Sequence, residues 1–176
     1  VFFGGAGVST ASGLPDFRSA TGLYNKKNNA NYSPEYMLSH EFFENHPDEF
    51  TTYVKENLMV EGILPNYCHY ALAKLEKMGK LQGIITQNID GLHQKAGSKN
   101  VIELHGTLND HYCTNCGEKY DLDYVNKFTA TPRCAKCDGI VRPDIVLYGE
   151  GLNQDNISHA INLISHADVL IIGGTS

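Results

Sequence analysis

The sequence predicts an α/β protein, a doubly wound parallel sheet carrying two insertions. Three observations lead there. Residues 1–3, Leu81 to Thr86, Val101 to Leu104 and Val169 to Ile172 read as strands, the second of them buried. Helical patterns separate them, and strands alternating with helices give parallel sheets. Between Asp110 and Arg142 both periods are lost among cysteines, glycines and short polar runs.

The elements follow in order. The first strand runs into the glycine turn Gly4-Gly5-Ala6-Gly7, which is expected to lead into a helix. Asn-rich Lys26 to Asn31 reads as a polar loop. Ser33-Pro34-Glu35 is a helix start, with a capping hydroxyl, proline at the first helical position and an acid in the first turn. Two short helices begin near Ser39 and Pro47. Asn66 caps a clearer one, whose Cys68, Ala71, Leu72, Leu75 and Met78 fall on one face before Gly79 ends it. Regular structure resumes at Ile145-Val146-Leu147, followed by a helix from Gln154 to Ser165. The predicted core is discontinuous, at 1–21, 65–108 and 143–176. A helical insertion occupies 22–64 and a cysteine-bearing one 109–142, the latter too small to fold on apolar burial alone.

The formal net charge of −6 over 176 residues, without a lysine/arginine stripe, argues against nucleic acid as a partner. No apolar run approaches a membrane span. The opening at Val1 has no signal-peptide pattern, and it and the stop at Ser176 predict a chain cut at both ends. Five cysteines without a secretory signal favour metal ligation in a reducing compartment, hence a cytoplasmic protein. The oligomeric state is not legible.

Cys113-Thr114-Asn115-Cys116 and Cys134-Ala135-Lys136-Cys137 form two Cys-x-x-Cys knuckles with 17 residues between them. That spacing fits a four-cysteine zinc ribbon, and four thiolates leave no open position, so one Zn²⁺ per chain would be structural. Two redox pairs are the plain alternative. A non-enzymatic zinc-ribbon binding module is a reading of its own. Cys68 reads as an inert core thiol.

The glycine turn Gly4-Gly5-Ala6-Gly7-Val8-Ser9 suits a pyrophosphate met by backbone N–H groups, in the Rossmann-like manner. Position 10 is Thr, so the full G-x-G-x-x-G is absent. Asn25-Lys26-Lys27-Asn28 stands where a dehydrogenase would place an acid, which disfavours hydride transfer.

Gly5-Ala6-Gly7-Val8-Ser9 through Ser12-Gly13-Leu14-Pro15-Asp16-Phe17-Arg18 resembles the nucleotide-binding signature of the sirtuin family. Thr86-Gln87-Asn88-Ile89-Asp90-Gly91-Leu92-His93 and Leu104-His105-Gly106 are similar to two further signatures. The knuckles, Arg142-Pro143-Asp144-Ile145-Val146 with Tyr148-Gly149-Glu150, and Gly174-Thr175-Ser176 follow in the family's order. Two departures stand out: Gly4 replaces a common Thr, and Asp138 replaces a glycine after the last cysteine, expected to be minor.

The resemblance implies an NAD-dependent protein-lysine deacetylase acting on acetylated lysine in proteins or peptides, with NAD and structural zinc. His105 matches the general base, with His93 its nearest rival. His40, His46, His69, His111, His159 and His166 are expected at the surface or on helices. Asn88 and Asp90 match the polar pair orienting the nicotinamide ribose and carboxamide, and Gln87 a ribose contact. Gly5, Ala6, Gly7, Ser9, Asp16, Phe17, Arg18, Gly174, Thr175 and Ser176 complete the implied NAD contacts. Phe17 would shield the reactive carbon, and backbone around Val146 would pair with the substrate peptide. Segments binding the adenosine half lie, in this family, beyond Ser176, so residues 1–176 alone are expected to hold NAD weakly. Some relatives transfer ADP-ribose to protein, which is the alternative activity. Sirtuins that remove succinyl or malonyl groups carry Tyr-x-x-Arg, matched here by Thr51 and Val54, with Lys55 adjacent.

Overall fold

A computed structural model describes residues 1–17, 19, 22–25 and 32–175, the side chain of Asn25 excepted. Predicted site residues Arg18 and Ser176, and the polar stretch 26–31, lie outside the described residues. The strands are β1 (Phe2–Gly4), β2 (Ile84–Thr86), β3 (Val101–Glu103), β4 (Gly106–Cys113), β5 (Lys119–Asp121), β6 (Val141–Ile145) and β7 (Ile171–Gly173). The helices are α1 (Pro34–Met37), α2 (His40–Asn45), α3 (Pro47–Asn57), α4 (Tyr67–Lys77), α5 (Leu92–Lys95), α6 (Leu122–Val125) and α7 (Gln154–Ser165). Two compact units result, one of Val1–Asn29, Glu61–His105 and Gly151–Ser176, the other of Ala30–Val60 and Gly106–Glu150.

In the first unit the strands lie in the order β3-β2-β1-β7, all parallel. Ile84 and Ile85 point to opposite faces of β2, and each face is covered. Ile85 packs with Val1, Ile102, Leu104 and Ala160 beneath α7. On the opposite face, Ile84 packs with Phe2, Val8 and Leu81, where α4 lays down Leu72. This is the predicted doubly wound sheet. Helix α4 is capped as predicted, with Asn66 Oδ1 accepting from Cys68 N and His69 Nδ1 from Asn66 N.

Its buried line differs from the predicted one. His69 and Leu72 are buried while Leu75 and Met78 are exposed, because the cap draws His69 toward the sheet and rotates the apolar stripe outward. Cys68 therefore stands exposed, not in the core. The glycine turn also departs from expectation. It opens no α-helix, but two tight turns, Ala6–Val8 and Thr10–Ser12, with Ser9 between them.

The second unit holds the antiparallel sheet β5-β4-β6 and the helices α1 to α3, with α6 following β5. Ser33 and Ser39 cap α1 and α2 through Tyr36 N and Phe42 N. By contact, residues 143–150 belong here, whereas the sequence division joins them to the core. The reason is that β6 pairs with β4 from Cys113↔Val141 to Gly106↔Ile145. Ile145 therefore ends a strand of this sheet and does not begin one of the parallel sheet. Gly106 takes φ 74°, and a Cβ there would lie 2.0 Å from the Asp144 carbonyl oxygen, so only glycine fits. His111, expected at a surface, is 2% exposed, on the inward side of β4.

Candidate active site and metal centre

The C-terminal ends of β1, β2 and β7 bring the predicted nucleotide residues of the first unit together, where ligands bind in open α/β sheets. Gly7 N donates to the Gly174 carbonyl at 2.8 Å, and Gly5 N to that of Gly173 at 3.3 Å. Gly174 has φ 65°, and a Cβ on it would lie 2.3 Å from Val8 N. Thr175 Oγ1 donates to Gln87 Oε1 at 2.9 Å.

Ser9 is the hub. Its hydroxyl donates to Asp90 Oδ2 at 2.6 Å and accepts from Asn88 Nδ2 at 3.0 Å. Asp90 Oδ1 accepts from Leu92 N at 2.9 Å, and Asn88 N donates to Thr86 Oγ1. Ser9 is 2% and Asn88 8% exposed, while Asp90 is half-buried, so two members of this hydrogen-bonded triad are sequestered. Asp16 and Phe17 lie in the following loop. Asp16 Oδ1 accepts from Ser19 N, and the Phe17 ring stands 5.5 Å from that of Tyr24.

His105 follows β3. Its Nδ1 meets the Gln87 carbonyl at 2.9 Å. A carbonyl only accepts, so neutral His105 carries its proton on Nδ1 and leaves Nε2 with a free lone pair. The ring is half-buried. His93, the rival, is 1% exposed and stands 4.8 Å, ring to ring, from His69. Burial, reinforced by His69 and opposed by Asp90, pushes its pKa down to about 4. A base sealed from solvent and protonated only in acid does not suit proton abstraction from a bound ligand.

In the second unit the Sγ atoms of Cys113, Cys116, Cys134 and Cys137 lie within 4.8 Å of one another. Cys113–Cys137 are 3.5 Å apart and Cys116–Cys134 3.6 Å. Zn–S bonds of about 2.3 Å in a tetrahedron separate sulfurs by about 3.8 Å, so the four residues fit zinc. Tyr120 Oη donates to Cys134 Sγ at 3.1 Å, and Lys136 N to the same sulfur at 3.4 Å, the donors a thiolate needs. Asp138 is not the minor departure expected. At φ 59° it is the only non-glycine residue with positive φ among the described residues, in the turn where Asp138 N closes on Cys134 O.

Two functional features escaped sequence reasoning. Buried Arg142 and half-buried Glu150 form an ion pair flanking the segment that contains Val146, though their residues stand plainly in the motif. Asn66, seen only as a cap, also reaches the nucleotide loop.

Parallel sheet, glycine-lined nucleotide turn and four-thiolate unit together define a Rossmann-like nucleotide-binding protein with a structural metal module. The Sir2 family profile matches residues 5–176. The chain is 58% identical over 177 residues to an NAD-dependent protein deacetylase of Clostridium acetobutylicum, covering 100% of this chain and 72% of that one. It is 50% identical to the protein of the same name from Staphylococcus epidermidis, covering 100% and 71%. A solved Sir2 variant with deacetylated p53 peptide and 3′-O-acetyl-ADP-ribose superposes with a TM-score of 0.88 at 42% identity, covering 99% and 70%. A Sir2 homologue variant in complex with ADP-ribose gives 0.90 at 39%, covering 100% and 69%. The chain belongs to the Sir2 family, the sirtuins.

Proposed function

We propose that the protein is an NAD-dependent protein-lysine deacetylase that moves the acyl group from lysine to ADP-ribose, releasing nicotinamide and O-acetyl-ADP-ribose. The observation that carries the reading is the His105–Gln87 hydrogen bond, which fixes the tautomer and leaves the Nε2 lone pair free to accept a proton. NAD supplies an electrophilic ribose carbon and a leaving group. The acyl oxygen of acetyl-lysine would displace nicotinamide at that carbon. His105 Nε2 would accept the proton of the ribose hydroxyl whose oxygen then bonds the acyl carbon, and water would complete the release of the lysine amine. Asn88 and Asp90, held by Ser9, orient the nicotinamide half. Asp16, Arg18 and Gln87 border it, and Phe17 screens the reactive carbon from water and from returning nicotinamide. Gly5, Ala6, Gly7, Ser9, Gly174, Thr175 and Ser176 receive the phosphates and ribose.

Backbone at Val146 pairs with the acetyl-lysine peptide as an added strand, so side-chain selectivity is low. The cysteines hold Zn²⁺ as a structural ion that completes the fold of its module. No helix among the described residues is long and apolar enough to cross a membrane, and cytoplasmic residence belongs to the proposal.

Mass spectrometry of an acetyl-lysine peptide incubated with NAD and the full-length protein tests it. Deacetylated peptide, nicotinamide and O-acetyl-ADP-ribose are expected in equal amounts. ADP-ribose attached to protein, without that product, would replace deacetylation by ADP-ribosyl transfer. No consumption of NAD would leave a zinc-ribbon binding module.

A further inference from the structure

The side chain of Asn66 faces two ways. Its Oδ1 caps α4 by accepting from Cys68 N at 2.9 Å. Its Nδ2 donates to the Val8 carbonyl at 2.8 Å and to Ser12 Oγ at 3.0 Å, in residues 58 and 54 positions away. Those two acceptors bracket Ser9.

The loop they belong to is weakly built by itself. Ala6–Val8 and Thr10–Ser12 are single tight turns, whose short hydrogen-bond runs give little stability alone. Ser9 between them must nevertheless hold its hydroxyl 2.6 Å from Asp90 and 3.0 Å from Asn88. Asn66 stands on a firm base, because Leu72 anchors α4 in the cluster of Phe2, Val8, Leu81 and Ile84, and Asn66 N is tied to His69.

A cap alone does not require asparagine. Serine and aspartate cap a helix equally well. Only an amide joins an acceptor for the helix to two donors for another segment. We propose that Asn66 is a positioning residue for NAD: it clamps the nucleotide loop on either side of Ser9 and so sets the Ser9–Asn88–Asp90 triad. The inference rests on the reading of that loop as the NAD site.

Asn66→Ser and Asn66→Asp both keep the cap, while serine loses both tethers and aspartate loses the donor to Val8. In the full-length protein, both variants are expected to raise KM for NAD about tenfold, with KM for acetyl peptide within about twofold of wild type. Calorimetry should show a matching loss of ADP-ribose affinity. Ser12→Ala should show a smaller rise and add little to Asn66→Ser, which already removes the Asn66–Ser12 tether along with the one to Val8. Hydrogen exchange at Val8 to Gly13 should quicken in Asn66→Ser while α4 stays protected. An unchanged KM for NAD in both variants, with or without a lower melting temperature, would reduce Asn66 to a helix cap and overturn the proposal. A wild-type protein that binds neither NAD nor ADP-ribose would overturn the reading of the loop itself. These two failures are distinct.

Discussion

Arg142 and Glu150 meet in a two-pronged ion pair, Nη1 to Oε1 at 2.5 Å and Nη2 to Oε2 at 3.1 Å, with the arginine 3% exposed. The pair closes the segment that contains Val146. Glu150 Oε2 also accepts from Leu147 N at 2.8 Å, and Arg142 Nη2 donates to the Ile145 carbonyl at 2.7 Å. On its other side Glu150 receives His40 Nδ1 at 2.9 Å, and Arg142 lies 4.9 Å above the Phe43 ring. Burial alone would raise the Glu150 carboxyl, but the hydrogen bonds of Arg142, Leu147 and His40, with the Arg142 charge, hold it below the ordinary glutamate range.

Glu150→Ala would strand a buried guanidinium, a change that costs about 3–5 kcal/mol. The variant is expected to lose stability of that order in urea unfolding. Where it still folds, it should raise KM for the acyl peptide more than KM for NAD, since the Val146 segment loses its brace. Equal changes in the two constants would refute the assigned role.

His105→Ala is expected to abolish turnover while the fold, zinc content and peptide binding persist. Removing a general base costs about 10²–10⁴-fold. Near-normal turnover would exclude His105 as the base. His93, sealed and titrating in acid, would then need an opening motion to replace it.

How much of this was legible depended on how local each cause is. The caps of Ser33 and Asn66, the helix start near Ser39, the turn at Gly79 and the paired cysteines rest on chemistry within a few residues, and all lie where predicted. The glycine turn and the residues after β2 could be placed at one end of the sheet because strand ends fix them. The burial of His69 and His111 was not legible, since it depends on which face a distant sheet covers. The second tether of Asn66 joins segments more than 50 residues apart, and no periodicity reports such a pairing. Assignment of residues 143–150 failed for a similar reason. An apolar run does not state which of two sheets it joins, and here the antiparallel partner β4 decides it.

Two of the three deeply buried histidines, His93 and His111, make stability sensitive to mild acid. In His93, burial and then His69 depress the pKa to about 4, against Asp90. In His111, burial does the same, helped by Lys55 and opposed by Asp110. Unfolding returns each to 6.5, so between pH 6.5 and 4 the unfolded chain binds more protons. Stability is therefore whole above pH 6.5 and lost as pH falls toward 4, by up to about 3 kcal/mol for each histidine. Urea unfolding at pH 7 and pH 5 checks this. The loss should shrink in His93→Gln and again in His93→Gln/His111→Gln; an unchanged loss in the double variant would refute it.

Zinc and folding of the second unit should be lost together. Cys134 is buried and receives the Tyr120 hydroxyl. Cys134→Ala leaves three thiolates, and the cluster of Cys113, Val125 and Val141 loses its anchor. The expected result is less than one zinc per chain, with a lower melting temperature. One zinc per chain and normal melting would disprove the four-thiolate site.

Acyl specificity follows from what α3 offers. The positions matching Tyr-x-x-Arg are Thr51, whose hydroxyl bonds Thr131 Oγ1 at 3.4 Å, and Val54, which is 2% exposed. Neither carries charge. Lys55 is the adjacent cation, about 100° round the helix from Val54. Its ammonium is already engaged, donating to the Phe128 carbonyl at 2.6 Å and to that of Val125 at 3.5 Å, and burial lowers its pKa. Turning it toward a substrate would abandon both carbonyls. A succinyl carboxylate in an apolar acyl tunnel would then stay unpaired, costing on the order of 2–5 kcal/mol. Acetyl-lysine, and longer uncharged acyl-lysines, should exceed succinyl-lysine in kcat/KM by at least about thirtyfold on the same peptide. The comparison needs only one peptide sequence with each acyl group and the full-length enzyme. A succinyl value equal to or above the acetyl one would overturn the argument and show that Lys55 leaves its carbonyls to meet the carboxylate.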